Sequence, residues 1–256
     1  IAAPEPVPTP DGGCVVDVPR TDGSGTAPVR LHRWVDAATV PREPVGAPLA
    51  RWVGATLAAL HGLALQPDQP DLYAGRAGLT TAEVWPDLVA RSRTAGAAWA
   101  DALEAAEPVA RRASALLVED AAPQVLVHGD VDQKNLLVGA DGPLLIDWDV
   151  VLPAVPAHDL AHAAVTMAGW REPPVAAAVL AAYAGTAGTP VRAEPSALGP
   201  ALASRLCWIR FTVDRALDGR ARTGSWPGDA PDVVGLLADL ERRTALAERW
   251  PDWLGQ

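Results

Sequence analysis

One stretch constrains this chain more than any other: Val125-Leu126-Val127-His128-Gly129-Asp130-Val131-Asp132-Gln133-Lys134-Asn135-Leu136-Leu137-Val138, followed by Pro143-Leu144-Leu145-Ile146-Asp147-Trp148-Asp149. An apolar run ends at a histidine, a glycine and an aspartate. An asparagine and a second apolar run follow. After the tight Ala140-Asp141-Gly142 turn, a third apolar run ends at Asp147. Short strands joined through Asp-Gly predict a β-hairpin, with Asp130, Asn135 and Asp147 gathered at its polar end. Two carboxylates and an amide oxygen suit Mg²⁺, which prefers hard oxygen ligands and completes its shell with waters and phosphates. A single aspartate there would be read as a polar turn residue. The ordered set reads as a site because each member sits at a strand end, where sites are commonly built.

The rest of the chain must bury that hairpin. With 256 residues, 49% hydrophobic and 20% charged, it has the composition of a globular protein of one large or two small domains. Its net charge of −10 argues against a nucleic-acid partner and is compatible with a cationic ligand. No apolar run approaches the ~20 residues that span a bilayer, so no membrane partner is expected. Two cysteines make no disulfide framework, and a reducing, cytoplasmic setting is expected.

Before the central stretch, Cys14–Val18 and Val29–Val35 read as two strands. From Pro48, helical spacing of Leu49, Trp52, Val53, Leu57 and Leu60 predicts a helix that stops at His61-Gly62, followed by a loop over 64–79. Thr80-Thr81-Ala82-Glu83 has the spacing of a capping box with Thr80 as cap. The helix it opens is expected to hold Pro86 in its first turn or to be bounded by it, and to continue to about Glu107, with another over Val109–Val118. After the central stretch, Pro153 and Pro156 argue against regular structure nearby. Helices are predicted over Asp159–Gly169, Val175–Ala184, Leu198–Leu217 (closed by Asp218-Gly219) and Val233 to about Trp250, with loops at 185–196 and Thr223–Pro231. The expected class is α+β with helices dominant.

In protein kinases, an aspartate of the catalytic loop accepts the substrate hydroxyl proton, an asparagine five positions on holds Mg²⁺, and a later aspartate also holds Mg²⁺. Asp130, Asn135 and Asp147 have that order and spacing. With this motif, the chain resembles the aminoglycoside phosphotransferase family of protein-kinase-like small-molecule kinases. Leu57-Ala58-Ala59-Leu60-His61 resembles that family's first C-lobe helix. Val29-Arg30-Leu31-His32-Arg33-Trp34-Val35 resembles its last N-lobe strand and hinge, and His158-Asp159-Leu160-Ala161 the step after the metal aspartate.

The resemblance, covering roughly residues 15 to 250, implies an ATP- and Mg²⁺-dependent transfer to a hydroxyl of a small molecule, such as an aminoglycoside or amino sugar. It implies Asp130 as catalytic base or hydroxyl-orienting group, Asn135 and Asp147 as metal ligands, and the backbone of Arg33, Trp34 and Val35 beside the adenine. Lys134 would reach the γ-phosphate, while Asp159 and His128 would brace the loop. Asp132, Asp149, Trp208, Arg210 and Asp214 are the candidates for acceptor contacts, although core packing is the default for Trp208. The implied fold is a mainly helical C-lobe over 41–256 with a catalytic hairpin, and residues 1–40 as a two-stranded remnant of the N-lobe.

Two features depart from the family pattern. No Gly-rich loop follows an N-terminal strand, and no lysine precedes Lys134. The expectation is that about the first third of the natural protein lies outside this sequence. The alternative is a non-catalytic, kinase-like binding or regulatory module that lacks its nucleotide lobe. Elsewhere, His158 and His162 are spaced i, i+4 as metal pairs can be, but no third ligand accompanies them, and surface or core histidines are the better reading. No G-x-S-x-G elbow supports serine catalysis.

Overall fold

The computed structural model describes residues 2–68, 79–187, 192–218 and 232–255. The expected Thr223–Pro231 loop lies outside the described residues, as do Gly219, most of the loop expected over 64–79 and residues 188–191 of the loop expected over 185–196. Among the described residues, helices dominate and short antiparallel strands form three small sheets, an α+β arrangement.

The apolar runs of the central stretch become strands in two different sheets. β5 (Leu136–Gly139) and β6 (Gly142–Leu145) form the expected hairpin, with Gly139 opposite Gly142. Gly142 takes a φ of +108°, which suits glycine at this tight reversal. A short strand not expected from the sequence, β3 (Ala37–Thr39), pairs with the free edge of β5. β4 (Val125–Val127) leaves this sheet and pairs instead with β7 (Leu152–Ala154). Pro153 therefore does not forbid structure. In a two-stranded ribbon each strand has an open edge, where a missing N–H is tolerated.

The N-terminal strands are β1 (Val16–Pro19) and β2 (Thr26–Val29), paired with Val16 opposite Val29. The predicted second strand, Val29–Val35, thus begins where the real one ends. The alternation beyond Val29 serves a different pairing. Val7 N–H donates to Leu31 O at 2.9 Å and Arg33 N–H to Glu5 O at 2.8 Å, laying the N-terminal segment along residues 31–33. The β1–β2 ribbon is largely solvent-exposed, and a lone pair of strands is marginal without a partner layer.

Helices α1 (Ala47–Gly62), α5 (Pro156–Met167) and α6 (Pro173–Ala187) pack together beneath the strands. Gly54 allows the close approach of α1 to α6, since a Cβ there would lie 2.1 Å from Val179 O. Pro156 sits in the first turn of α5, where its lost N–H has no helical partner to miss. That position moves the helix start ahead of the expected Asp159.

The helix expected to run to about Glu107 is broken into α2 (Trp85–Thr94) and α3 (Ala100–Ala105), and the separate helix expected over Val109–Val118 appears as α4 (Glu107–Ala115). Gly96, at φ +64°, ends α2 in a left-handed turn closed by Ala97 N–H to Ser92 O at 2.9 Å. Pro86 lies in the first turn of α2 as expected. The capping box does not form, because the buried Thr80 hydroxyl sits 3.0 Å from Cys207 Sγ and Ser114 Oγ accepts the Ala82 N–H. The C-terminal helices are α7 (Gly199–Leu217), α8 (Val233–Glu248) and the short α9 (Trp250–Trp253). One contiguous core runs through these helices, with Leu57, Trp85, Leu103, Met167, Leu206 and Trp250 fully enclosed and Leu136 and Leu145 joining it from the hairpin.

Candidate active site

Asp130 lies on the loop between β4 and β5, and that loop is tied down from three directions. His128, fully buried, brings Nε2 to 3.0 Å from Ile146 O, and its Nδ1 accepts the Asp130 N–H at 3.3 Å. These bonds require the Nε2–H tautomer and join the Asp130 loop to the end of β6. They occupy both ring nitrogens, so His128 holds the loop and is not placed to take a proton from a ligand. Its ring meets Trp148 edge-on at 4.7 Å. Gly129 adopts φ +81° and is crowded, since a Cβ would come within 2.4 Å of Leu152 Cδ2 and 2.9 Å of Val150 O. The glycine between His128 and Asp130 is a steric requirement.

The second tie is a buried hydrogen-bond chain. Asp159, near the start of α5, accepts the Gly129 N–H at 3.1 Å through Oδ1 and meets His61 Nε2 at 3.1 Å through Oδ2. His61 Nδ1 lies 3.0 Å from the Tyr183 hydroxyl, completing a chain from α6 through α1 and α5 to the loop. Burial raises the Tyr183 pKa, and the Asp159 charge adds to this; the Asp159 carboxylate can only accept, so in the neutral His61 ring Nδ1 accepts the Tyr183 hydroxyl proton. His61 then carries its own proton on Nε2, facing the carboxylate. The third tie is Gln133, whose amide donates to Thr166 O at 2.5 Å and Glu43 O at 3.3 Å.

On this frame the polar residues converge. Asn135 Nδ2 donates to Asp130 O at 2.8 Å and to Asp130 Oδ2 at 3.0 Å. The amide nitrogen therefore faces Asp130, leaving Asn135 Oδ1 as its acceptor for a cation. Lys134 Nζ lies 2.7 Å from Asp130 Oδ2. Burial lowers the Lys134 pKa, but the bond to Asp130 and the charges of Asp130, Asp132 and Asp147 outweigh it and leave the pKa raised. Asp132 caps the turn that carries Lys134 by accepting the Lys134 N–H at 3.0 Å.

Asp147 follows β6, whose end is bound to the start of β5 by Ile146 N–H to Asn135 O at 2.9 Å. Its backbone is left-handed, φ +67°, a strained conformation that clusters at functional sites and that aspartate tolerates better than most residues. Its pKa is raised, first by burial and then by its hydrogen bond to Asp149 and the adjacent Asp149 and Asp130 charges, against an opposing pull from Lys134. An excess of carboxylate beside an available amide oxygen fits a divalent cation bound by oxygen. Among the described residues no set of three or more His, Cys, Asp or Glu forms a metal cluster, so a cation here would rely on the mixed Asp/Asn set and on its ligands.

Not every sequence candidate joins this cluster. Arg33 donates its backbone N–H to Glu5 O and pairs its side chain with Glu5 at 2.9 Å. Trp34 is 94% exposed and Val35 is half-buried. On α7, Asp214 is held by Arg91 at 2.7 Å and Arg210 at 3.6 Å, and Trp208 stacks on Phe211 at the surface. The default of core packing for Trp208 is therefore corrected. His158 binds Asp120 at 3.0 Å, while His162 is enclosed near Trp170, so they do not act as a metal pair.

A family model described as the phosphotransferase enzyme family matches residues 2–198. The chain belongs to this family. No curated protein sequence matches it. Among solved structures, it is similar to spectinomycin phosphotransferase APH(9)-Ia in complex with ADP and spectinomycin, at 14% identity over 94% of this chain and 78% of that one, with a TM-score of 0.62. It is similar to a microcompartment-associated aminopropanol kinase at 20% identity, over 98% and 76% of the two chains, with a TM-score of 0.61. An aminoglycoside phosphotransferase from Alicyclobacillus acidocaldarius aligns at 18% identity over 100% and 78%, with a TM-score of 0.57. These likenesses establish the protein-kinase-like α+β fold of this family member.

Sequence reasoning named His61 as part of a helix match but gave it no role, and it missed Tyr183. Those side chains meet across a sequence separation of 122 residues, and no local pattern encodes such a contact.

Proposed function

We propose that this chain transfers the γ-phosphoryl group of ATP to a hydroxyl of a small molecule, with Mg²⁺ as its metal. The observation that carries this reading is the contact of Asn135 with Asp130 on a loop fixed by buried hydrogen bonds, with the strained Asp147, whose pKa responds to the Asp130 charge, following the adjoining strand. Asp130 would orient the acceptor hydroxyl and receive its proton as the oxygen bonds to the γ-phosphorus and the bond to the departing ADP breaks. Mg²⁺ held by Asn135 and Asp147 would supply positive charge to the phosphates. Lys134, already the cation on Asp130, would turn to a γ-phosphate oxygen when nucleotide enters. Asp132 and Asp149 would border the acceptor, with Trp208, Arg210 and Asp214 further out. The backbone at Arg33 to Val35 would run beside the adenine, through the groups of it that Glu5 does not engage.

Residues 1–40 are read as the remnant of the N-lobe and 41–256 as the C-lobe, with β3 stitching the two through β5. A small-molecule acceptor agrees with similar proteins named for spectinomycin and aminopropanol. No described helix is long and apolar enough to cross a membrane, and neither cysteine is in a disulfide, which supports a cytoplasmic setting.

The test is ATP turnover with Mg²⁺ over a panel of small alcohols. Asp130→Ala should abolish turnover while leaving the circular dichroism spectrum unchanged. A near-normal rate in that variant would refute the role of Asp130. Absence of nucleotide binding and turnover with every acceptor would favour the non-catalytic binding module.

A further inference from the structure

The C-lobe holds a second charged cluster, and its sign is opposite to that of the site. Asp239 on α8 is approached by Arg205 from α7 and by Arg242 and Arg243 from its own helix. Arg205 and Arg243 are largely enclosed, at 18% and 21% side-chain exposure, while Arg242 reaches solvent. Two enclosed guanidiniums thus share one carboxylate. Burial first, and then mutual repulsion with neighbouring arginines, lowers both pKa values to about 10, so both remain charged at neutral pH. Enclosed charge without a matching counter-charge is costly, and it persists where something repays it.

The hydrogen bonding points the same way. Arg243 Nε lies 2.7 Å from Asp239 Oδ2, yet it lacks the alignment of a hydrogen bond. Arg205 Nε, the Trp170 indole N–H and the Thr166 hydroxyl are also buried with no hydrogen-bond partner among the described residues. Trp170 and Thr166 are only 5% and 6% exposed. The Arg243 guanidinium lies over the Trp170 ring, 4.4 Å from its centroid, which fixes the orientation of its planar fork. Asp239 Oδ2, the oxygen both guanidiniums approach, also lacks an aligned hydrogen bond, but the Trp170 N–H and Arg205 Nε remain donors without any acceptor, which an oxyanion supplies.

The cluster also borders the catalytic loop. Thr166 O holds Gln133, the residue between Asp132 and Lys134. The Asp132 charge acts on Arg243, and the charges of Asp130 and Asp132 act on His162, whose ring lies 6.4 Å from that of Trp170.

We propose that Arg243, Arg205 and the Trp170 N–H form an oxyanion subsite, and that the acceptor is an alcohol carrying an acidic group, a carboxylate or a phosphate. This inference rests on the phosphotransfer reading and assigns its acceptor a charge opposite to the cationic one that the acidic composition suggests. The hydroxyl would lie at Asp130 and the acid group against Arg243. A guanidinium fork binds either oxyanion in two-point fashion.

The test has a binding arm and a turnover arm on the whole chain. Inorganic phosphate and acetate are titrated at constant ionic strength by isothermal titration calorimetry. Saturable binding is expected, abolished in Arg243→Met and weakened in Arg243→Lys, which keeps the charge and loses the fork. The stronger of the two anions identifies the acid group. In turnover, hydroxy acids are compared with their primary amides and with amino alcohols of equal length. The acids should show a KM at least about tenfold lower, a preference lost in Arg243→Met through KM. No saturable anion binding in folded wild type, or indifference to acceptor charge and to both Arg243 variants, would overturn the subsite and leave an internal ion pair. Anion binding with no acceptor phosphorylated would sink the phosphotransfer reading and retain the subsite.

Discussion

Asp159 is the residue on which the geometry of the Asp130 loop depends, and two substitutions there separate its roles. Its carboxylate is buried and has two partners at 3.1 Å, the Gly129 N–H and His61 Nε2. Asp159→Ala removes both acceptors and leaves two N–H groups without partners in the interior. Each such group costs about 1–3 kcal/mol, more where its lost partner was charged. We expect a loss of about 3–5 kcal/mol, or roughly 6–20 °C in Tm for a domain of this size. Asp159→Asn behaves differently. Its amide oxygen can still accept from Gly129, and its NH₂ can donate to His61 Nε2 if the imidazole proton moves to Nδ1 and faces the Tyr183 oxygen. That rearrangement keeps the groups paired, so the loss should be near 1 kcal/mol. Urea unfolding gives the two stabilities, and hydrogen exchange at Gly129 reports whether its N–H remains protected. Equal stability of the two variants, or unchanged Gly129 protection in Asp159→Ala, would refute the assigned network.

Three further outcomes follow from the site. Because the Asp147 pKa is raised in the folded chain, ionising it opposes folding, and stability is lost as pH rises through that raised value. Asp147→Asn should therefore melt above the wild type at neutral pH without metal and match it below the ordinary carboxylate range. Mg²⁺ should raise the wild-type Tm and leave the variant unmoved, and a less stable metal-free variant at neutral pH contradicts this. Gly129→Ala must adopt φ +81° and displace Leu152, adding about 1–2 kcal/mol of backbone strain to about 1–3 kcal/mol of overpacking. Chemical denaturation within 0.5 kcal/mol of wild type, inside the usual scatter of a neutral surface change, would count against that steric account. Lys134→Met should change stability by less than about 1 kcal/mol, because its ion pair is partly exposed. The raised lysine pKa means that this contribution is complete at neutral pH and fades only as pH climbs through the raised value. Steady-state kinetics should nonetheless show kcat reduced about tenfold or more, and an unchanged kcat removes Lys134 from phosphate binding.

What the sequence made legible was local. The β5–β6 hairpin follows from apolar runs around Asp141-Gly142, and the order of Asp130, Asn135 and Asp147 followed from their places at strand ends. Helices α1 and α7 followed from spacing that needs no partner to be visible. The errors arose where long-range contacts decided the outcome. Pro153 reads as a breaker until β4 is known to be the strand beside it. Thr80 reads as a cap until Cys207, far along the chain, engages its hydroxyl. Val29–Val35 alternates like a strand, and only the pairing of residues 5–7 with 31–33 shows what the alternation serves. Asp159 and His61 each stood in recognisable helical segments, but their contact and its extension to Tyr183 required the packing of α1, α5 and α6.

The acidic composition offers the same lesson in electrostatics. A net charge of −10 invites the inference of a cationic ligand, yet composition averages over a surface and a ligand meets only a few groups. Around the Asp130 loop, Asp130, Asp132, Asp147 and Asp149 gather on one side, and Lys134 is drawn to the first of them. That concentration of carboxylates is what a metal-bound nucleotide would neutralise. On the Gln133–Thr166 side, the balance reverses, and two enclosed guanidiniums face one carboxylate with unmet donors beside them. A ligand bridging the two regions would need a neutral hydroxyl at one end and negative charge at the other. The placement of charge around the catalytic loop, rather than its total over the chain, is therefore the better guide to the acceptor.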